Sequence, residues 1–321
     1  MRAALDLTRR FLEWSGRHGA ALLAGSIFAG LFLPPLAALF RDVITPVVFI
    51  LMVLVLLRVD PAQVLAYLRR PLLVAGLLAW LLIATPLLAW ALLGALGITG
   101  PLAHGLVIVA TGCAATSSPA FARMVGLDGE IAFVVAVLSI LLIPLTAPPL
   151  ALGLLGIDLA ISMTGLMLRL GLVVLLPLVI SIGIRRVVAP AQLTHWGRAV
   201  DGAVVLLVVF YGFGVMDGVL ARLLAEPGFI LAGIAMAFGG TLAMNALTAL
   251  AFAGFGQRLA LSAGLLAGNR NMALYLAVLP EATDPGILLF CVLCQFPLFL
   301  SPFLLKPLYE LISRPGRATP P

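Results

Sequence analysis

Two short polar clusters interrupt long apolar runs, and their side chains are of the kinds that hold ions. One is Gly268-Asn269-Arg270-Asn271; the other is Thr116-Ser117-Ser118-Pro119. Hydroxyl and amide oxygens ligate hard cations, and amides also donate. A guanidinium grips a carboxylate or oxyanion in a bidentate fork. Arg270 is the costliest of these residues. The chain carries no Asp, Glu, Lys or Arg from Leu259 to Asn269, nor from Asn271 to Pro280. In a membrane span that places Arg270 near the bilayer centre, at a cost of about 2.5–3.5 kcal/mol on insertion scales. The glycine and two asparagines beside it indicate a broken helix. Irregular backbone at that depth is tolerated where it lines a cavity or is buried in protein.

The elements that must position these clusters are membrane helices. Of 321 residues, 63% are hydrophobic and only 10% charged, and the mean hydropathy is +1.21. A soluble core needs far less apolar sequence, so the fold class is an all-α polytopic membrane protein. With about 20 apolar residues per span, ten helices are expected. They cover roughly 19–40, 43–58, 71–97, 102–126, 129–155, 162–184, 199–221, 228–252, 257–280 and 284–306. Nine spans is the alternative. The Arg-rich start is read as preceding an uncleaved first span rather than as a signal peptide.

Basic residues orient the chain. With a cytoplasmic N-terminus, 15 of the 19 Lys and Arg fall in cytoplasmic segments. Only Arg41 and Arg222 fall outside, and Arg169 and Arg270 lie within spans. That asymmetry follows the positive-inside rule and puts both termini in the cytoplasm. It also accounts for the net charge of +6 without a nucleic-acid partner. The Arg-, Ala- and Leu-rich usage with a single lysine points to a bacterial inner membrane. Neither tail is long enough for a soluble domain, so residues 1–321 form one transmembrane unit.

The two polar clusters occupy spans four and nine, equivalent members of two five-span halves. Five is odd, so the second half enters from the opposite side. Paired interrupted helices in inverted halves point to the binding centre of a secondary transporter. Each broken helix exposes carbonyls at the end of one half and N–H groups at the start of the other. The former attract cations and the latter anions. Similar punctuation follows each break: Ser139, Pro144, Thr146 and Pro148 after the first, Cys294, Pro297, Ser301 and Pro302 after the second.

On these residues the chain resembles the bile acid:sodium symporter family. Gly112-Cys113-Ala114-Ala115-Thr116-Ser117-Ser118 resembles its span-four crossover. Gly268-Asn269-Arg270-Asn271-Met272-Ala273-Leu274 resembles its span-nine crossover. The resemblance implies a panel of helices at about 19–58 and 162–221 and a core at about 71–155 and 228–306, moving against each other. It also implies sodium as coupling ion, with Thr116, Ser117, Ser118 and Asn271 as ion ligands. Two departures stand out. Sodium-coupled members carry an acidic residue just ahead of the span-nine glycine, where this chain has Leu265-Leu266-Ala267. A glutamine expected in span three is absent around Trp80-Leu81-Leu82.

The expected function is secondary transport of a small or amphipathic organic anion, by a monomer or homodimer, coupled to sodium, to protons or to nothing, with no cofactor beyond such a sodium ion. Candidate substrate contacts are Arg270, Asn269, Asn271, Asn245 and Gln295. Two readings of Arg270 stay open. It faces the cavity and meets substrate or stands in for a cation, or it caps the carbonyls of a broken helix. Asn245 and Gln295 equally suit interhelical hydrogen bonds, and Thr116, Ser117 and Ser118 equally suit a small-residue helix contact. Arg169 is placed to snorkel, Asp128 and Glu130 to cap a helix. Cys291 and Cys294 read as small apolar residues. A lipid-modifying enzyme would need a carboxylate pair, a His cluster or a nucleophile–base pair, and a channel a charged ring; none is evident.

Overall fold

The computed structural model describes residues 2–59, 70–156 and 159–313; Arg69, Arg314 and Arg317 of the basic set lie outside them. Within these residues the regular structure is helical, with no strand. In chain order the helices are α1 (Arg2–Arg17), α2 (Gly19–Phe32), α3 (Pro34–Arg41) and α4 (Ile44–Leu57). Next come α5 (Pro71–Ala95), α6 (Pro101–Thr111), α7 (Ser118–Met124) and α8 (Gly129–Leu155). After them follow α9 (Met163–Val187), α10 (Pro190–Val215), α11 (Val219–Ala225) and α12 (Pro227–Ala251). The last are α13 (Gln257–Gly268), α14 (Ala273–Val278), α15 (Pro285–Leu293) and α16 (Gln295–Ser313).

Proline sets many of these boundaries. α3, α5, α6, α10, α12 and α15 each begin with one. There its missing N–H costs nothing and its fixed φ suits the first turn. Asp128 caps α8, accepting from the backbone N–H groups of Glu130 and Ile131; the sequence places it in that role.

Among the described residues, six helices are long and apolar enough to cross a bilayer: α5, α8, α9, α10 with α11, α12, and α15 with α16. The other four expected spans are built of shorter pieces. The stretch 19–40, expected as one span, is divided at Leu33, where α2 and α3 meet at 108°. Pro34 and Pro35 start a new helix there and disfavour helical backbone just ahead of them. α4 has 14 residues. Spans four and nine are each interrupted, between Thr111 and Ser118 and between Gly268 and Ala273.

The N-terminal segment, expected as a simple tail, is helix α1, which packs along α10. Gly202 of α10 makes this approach feasible, because a Cβ there would collide with the Leu12 carbonyl. Arg9 pairs with Glu13 at 2.9 Å and stacks over Trp196. One apolar core joins α2, α4, α6, α8, α9, α10 and α14 to α16, with Ile27, Ile108, Ile143 and Leu166 fully buried. A second core surrounds α7, the start of α8, and α13. The two breaks lie where the cores meet.

Candidate functional site

The breaks cross each other and are joined by backbone. After α6 the chain runs extended through Gly112, and after α13 through Asn269. Ala115 N–H donates to Asn269 C=O at 2.8 Å, and Asn271 N–H to Cys113 C=O at 2.9 Å. The result is an antiparallel bridge between Ala114 and Arg270. Residues with no helical partners thus satisfy one another, as buried backbone must. Ser139 of α8 accepts from Ala114 N–H at 3.2 Å, and the Tyr275 and Thr111 hydroxyls bond to each other across the crossing.

Arg270 is 3% exposed and surrounded by neutral oxygens. Its Nε–H donates to Ala267 C=O at 2.7 Å. Nη1 donates to Leu81 C=O at 3.0 Å and Gly112 C=O at 2.8 Å. Nη2 donates to Thr85 Oγ1 at 2.6 Å. These use four of the five guanidinium donors. Gly112 and Ala267 end α6 and α13, so their carbonyls belong to the unpaired set of each helix terminus. Leu81 is free for a different reason. α5 carries a π-helical turn at Trp80–Ala84, in which Thr85 N–H bonds to Trp80 C=O. Pro86 follows with no N–H to give, so Leu81 C=O receives no backbone bond from either neighbour. It accepts instead from Thr85 Oγ1 at 2.7 Å and from Arg270.

Beside the crossing lies a cavity of about 950 Å³, toward the upper end of ordinary ligand pockets, about 300–1,000 Å³. Its base holds Thr116, Ser117, Asn269, Asn271, Gln295 and Ser301. Leu23, Leu51, Val55, Val204, Val208 and Phe299 form an apolar wall. Its mouth carries Arg17, Arg58, Arg123 and Arg185, all residues of the predicted basic face. Arg58 is paired with Asp201 at 2.8 Å, the only carboxylate among the described residues that line the cavity. Arg185 donates to the carbonyls of Leu57 and Val59. Among buried side chains, Tyr211 Oη, Asn269 Oδ1 and Ser118 Oγ have no hydrogen-bond partner, and the first two residues line this cavity. Burying such a group unpaired costs about 1–3 kcal/mol.

The expected site residues therefore separate. Ser117 is exposed to the cavity and Thr116 half-buried, while Ser118 is buried and outside the lining. Asn269 donates to Ser301 Oγ at 3.4 Å. Asn271 accepts from Ala273 N–H at 3.1 Å at the start of α14. Gln295 donates to Cys291 C=O at 3.4 Å. Asn245 does not line the cavity. It accepts from Tyr309 at 2.8 Å and packs on α13, where a Cβ at Gly264 would lie 2.6 Å from its carbonyl oxygen. Arg270 does not line the cavity either, and its contacts are those of the carbonyl-capping reading. Arg169, placed to snorkel, donates to Val278 C=O at 3.1 Å. No group of three or more His, Cys, Asp or Glu suited to a metal exists among the described residues.

The family model for the sodium bile acid symporter family matches residues 45–221, which is 177 of 321 positions. The chain belongs to this family. The match takes in the first break and ends before the second. Symporter-family members are transporters rather than enzymes, and this chain is a multi-pass membrane protein of that transporter type. No curated protein matches it.

The family's name brings sodium into the question, and the crossover gives a divided answer. The oxygens of Ala267, Leu81, Gly112 and Thr85 already hold a guanidinium, so they do not fit a sodium ion. A second unit charge at about 5 Å would add roughly 3 kcal/mol of repulsion at an effective dielectric near 20. Ser118 Oγ and Asn269 Oδ1 are buried oxygens that carry no hydrogen bond, and Thr116 and Ser117 are accessible beside them.

Sequence reasoning did not find Leu81, Thr85, Tyr211 or Tyr275. A signal for the first two was present: Thr85-Pro86 inside an apolar run marks a disturbed helix. Nothing comparable marks either tyrosine.

Proposed function

We propose that this symporter-family protein moves an amphipathic organic anion across a bacterial inner membrane by alternating access. The cavity of about 950 Å³ supports this reading, with arginines at its mouth, an apolar wall, and uncharged polar groups at its base. The arginines draw an anion in and raise its local concentration. The wall takes the apolar body. Asn269, Asn271, Gln295, Ser117 and Tyr211 take its polar end.

The fold read with this function has ten membrane helices in two inverted five-helix repeats. α1 to α4 and α9 to α11 form the panel, and α5 to α8 and α12 to α16 the core. By the positive-inside rule the arginine-lined mouth and both termini face the cytoplasm, so the cavity is open inward. At the opposite end α14 packs against α4 and α9, and Arg169 donates to Val278 C=O. One chain supplies the cavity, so a monomer suffices, as does a homodimer.

The test is counterflow in reconstituted vesicles, with a bile-acid anion and a set of shorter carboxylates as substrates. Saturable counterflow of an organic anion, competed by its analogues, is expected. Absence of saturable flux for every organic anion, or current without counterflow, overturns the reading.

A further inference from the structure

We propose that the Arg270 guanidinium is the resident cation of the crossover, so that this protein needs no sodium ion at that point. The four groups around it form the oxygen shell of a cation site: three carbonyls and one hydroxyl, with no carboxylate. Two of the carbonyls, Gly112 and Ala267, lie at the ends of half-helices that converge on the crossing. Each helix C-terminus carries about half a negative charge, so two together call for about one positive charge, and one guanidinium supplies it. The third carbonyl, Leu81, is released toward the site by a π turn and the proline that follows it. π turns of this kind recur at functional sites.

The position of the charge matters as much as its sign. The guanidinium is 3% exposed, lies outside the cavity lining, and its stem leaves from the bridged residue itself. It therefore neither competes with substrate nor exchanges with the solution. A diffusible cation in the same shell would bind and leave with each cycle and tie transport to its gradient. A tethered one keeps the crossing neutralised in every state and removes that tie. The inference concerns the ion and stands apart from the choice of substrate, so its failure leaves the anion reading intact.

The experiment is thermal unfolding of purified full-length protein in detergent at constant ionic strength. Wild type is compared in sodium chloride and choline chloride, and its melting temperature is expected to be the same in both. Arg270→Ala empties the shell. It is expected to melt lower in choline and to gain about 3–6 °C from sodium, or from low-millimolar guanidinium, near tenfold above its Kd. Wild type in the same guanidinium should gain nothing. Arg270→Lys keeps the charge and should ignore sodium as wild type does, which preserves a readout if Arg270→Ala does not fold. A sodium-specific gain in wild type or in Arg270→Lys overturns the proposal. So does a folded Arg270→Ala that responds to neither sodium nor guanidinium.

Discussion

The two breaks share one pair of backbone hydrogen bonds and both send polar side chains to the cavity, yet only the second encloses a charge. At the second break Arg270 is enclosed, with four donors engaged by carbonyls and a hydroxyl. At the first, Ser117 is open to the cavity and Thr116 half-buried, and neighbouring Ser118 Oγ has no partner. Arg270 holds the crossing together, while Ser117 and Thr116 are left for something else to meet. A broken helix does not by itself tell which of these it does, because the exposed carbonyls and N–H groups are the same in both. The difference comes from what α5 and α8 bring alongside.

Arg270→Leu tests the contrast most severely. It leaves the buried carbonyls of Gly112 and Ala267 without their donor, while Leu81 C=O keeps Thr85 Oγ1; each buried acceptor left unpaired costs about 1–3 kcal/mol. A fall in melting temperature of roughly 10 °C is expected, against less than about 2 °C for Ser117→Leu. Equal losses would erase the distinction between the breaks. Gly268→Val comes next. A Cβ there already lies 2.8 Å from Thr241 C=O and 3.2 Å from Asn245 Cβ, and overpacking of this kind costs about 1–3 kcal/mol. Its signature is loss of stability, with the Tyr309–Asn245 contact broken.

Ser117→Trp should show the reverse pattern. The indole fills the base of the cavity, so transport falls by at least about tenfold, some 1.4 kcal/mol, while unfolding is unchanged. Full transport by this variant would remove the cavity from the pathway. Asn271→Ala removes the acceptor of the Ala273 N–H at the start of α14, at a cost of about 1 kcal/mol, visible as faster hydrogen exchange in that half-helix. Arg123→Ala is the mildest change. The side chain is exposed at the mouth, so substrate capture should weaken a few-fold at low salt and hardly at all near 1 M, where the Debye length is about 3 Å.

Much of the fold was legible from residue types. Hydropathy placed the membrane helices, and prolines marked where many begin. The lone arginine and its asparagines marked the second break. The stretch expected as a single span at 19–40 is bent at Leu33, because Pro34 and Pro35 outweigh the apolar composition around them. Arg270 was left between two readings, and Asn245 and Gln295 likewise, because each needs a partner that sequence distance conceals. Leu81 and Thr85 lie 189 and 185 positions from Arg270, and neither offers a side-chain carboxylate that would announce an ion pair.

Composition and hydropathy by themselves determined a multi-pass membrane protein, and the residues of the two polar breaks carried the resemblance to its family. These are properties of local transfer energies, which depend on residue type and order along the chain. Only the tertiary structure decided that Arg270 caps carbonyls while Ser117, Asn269 and Tyr211 face the cavity. That choice rests on which backbone oxygens are left without an N–H after the helices have packed. It depends on a π turn in α5 meeting the ends of α6 and α13, and no stretch of neighbouring residues encodes that meeting.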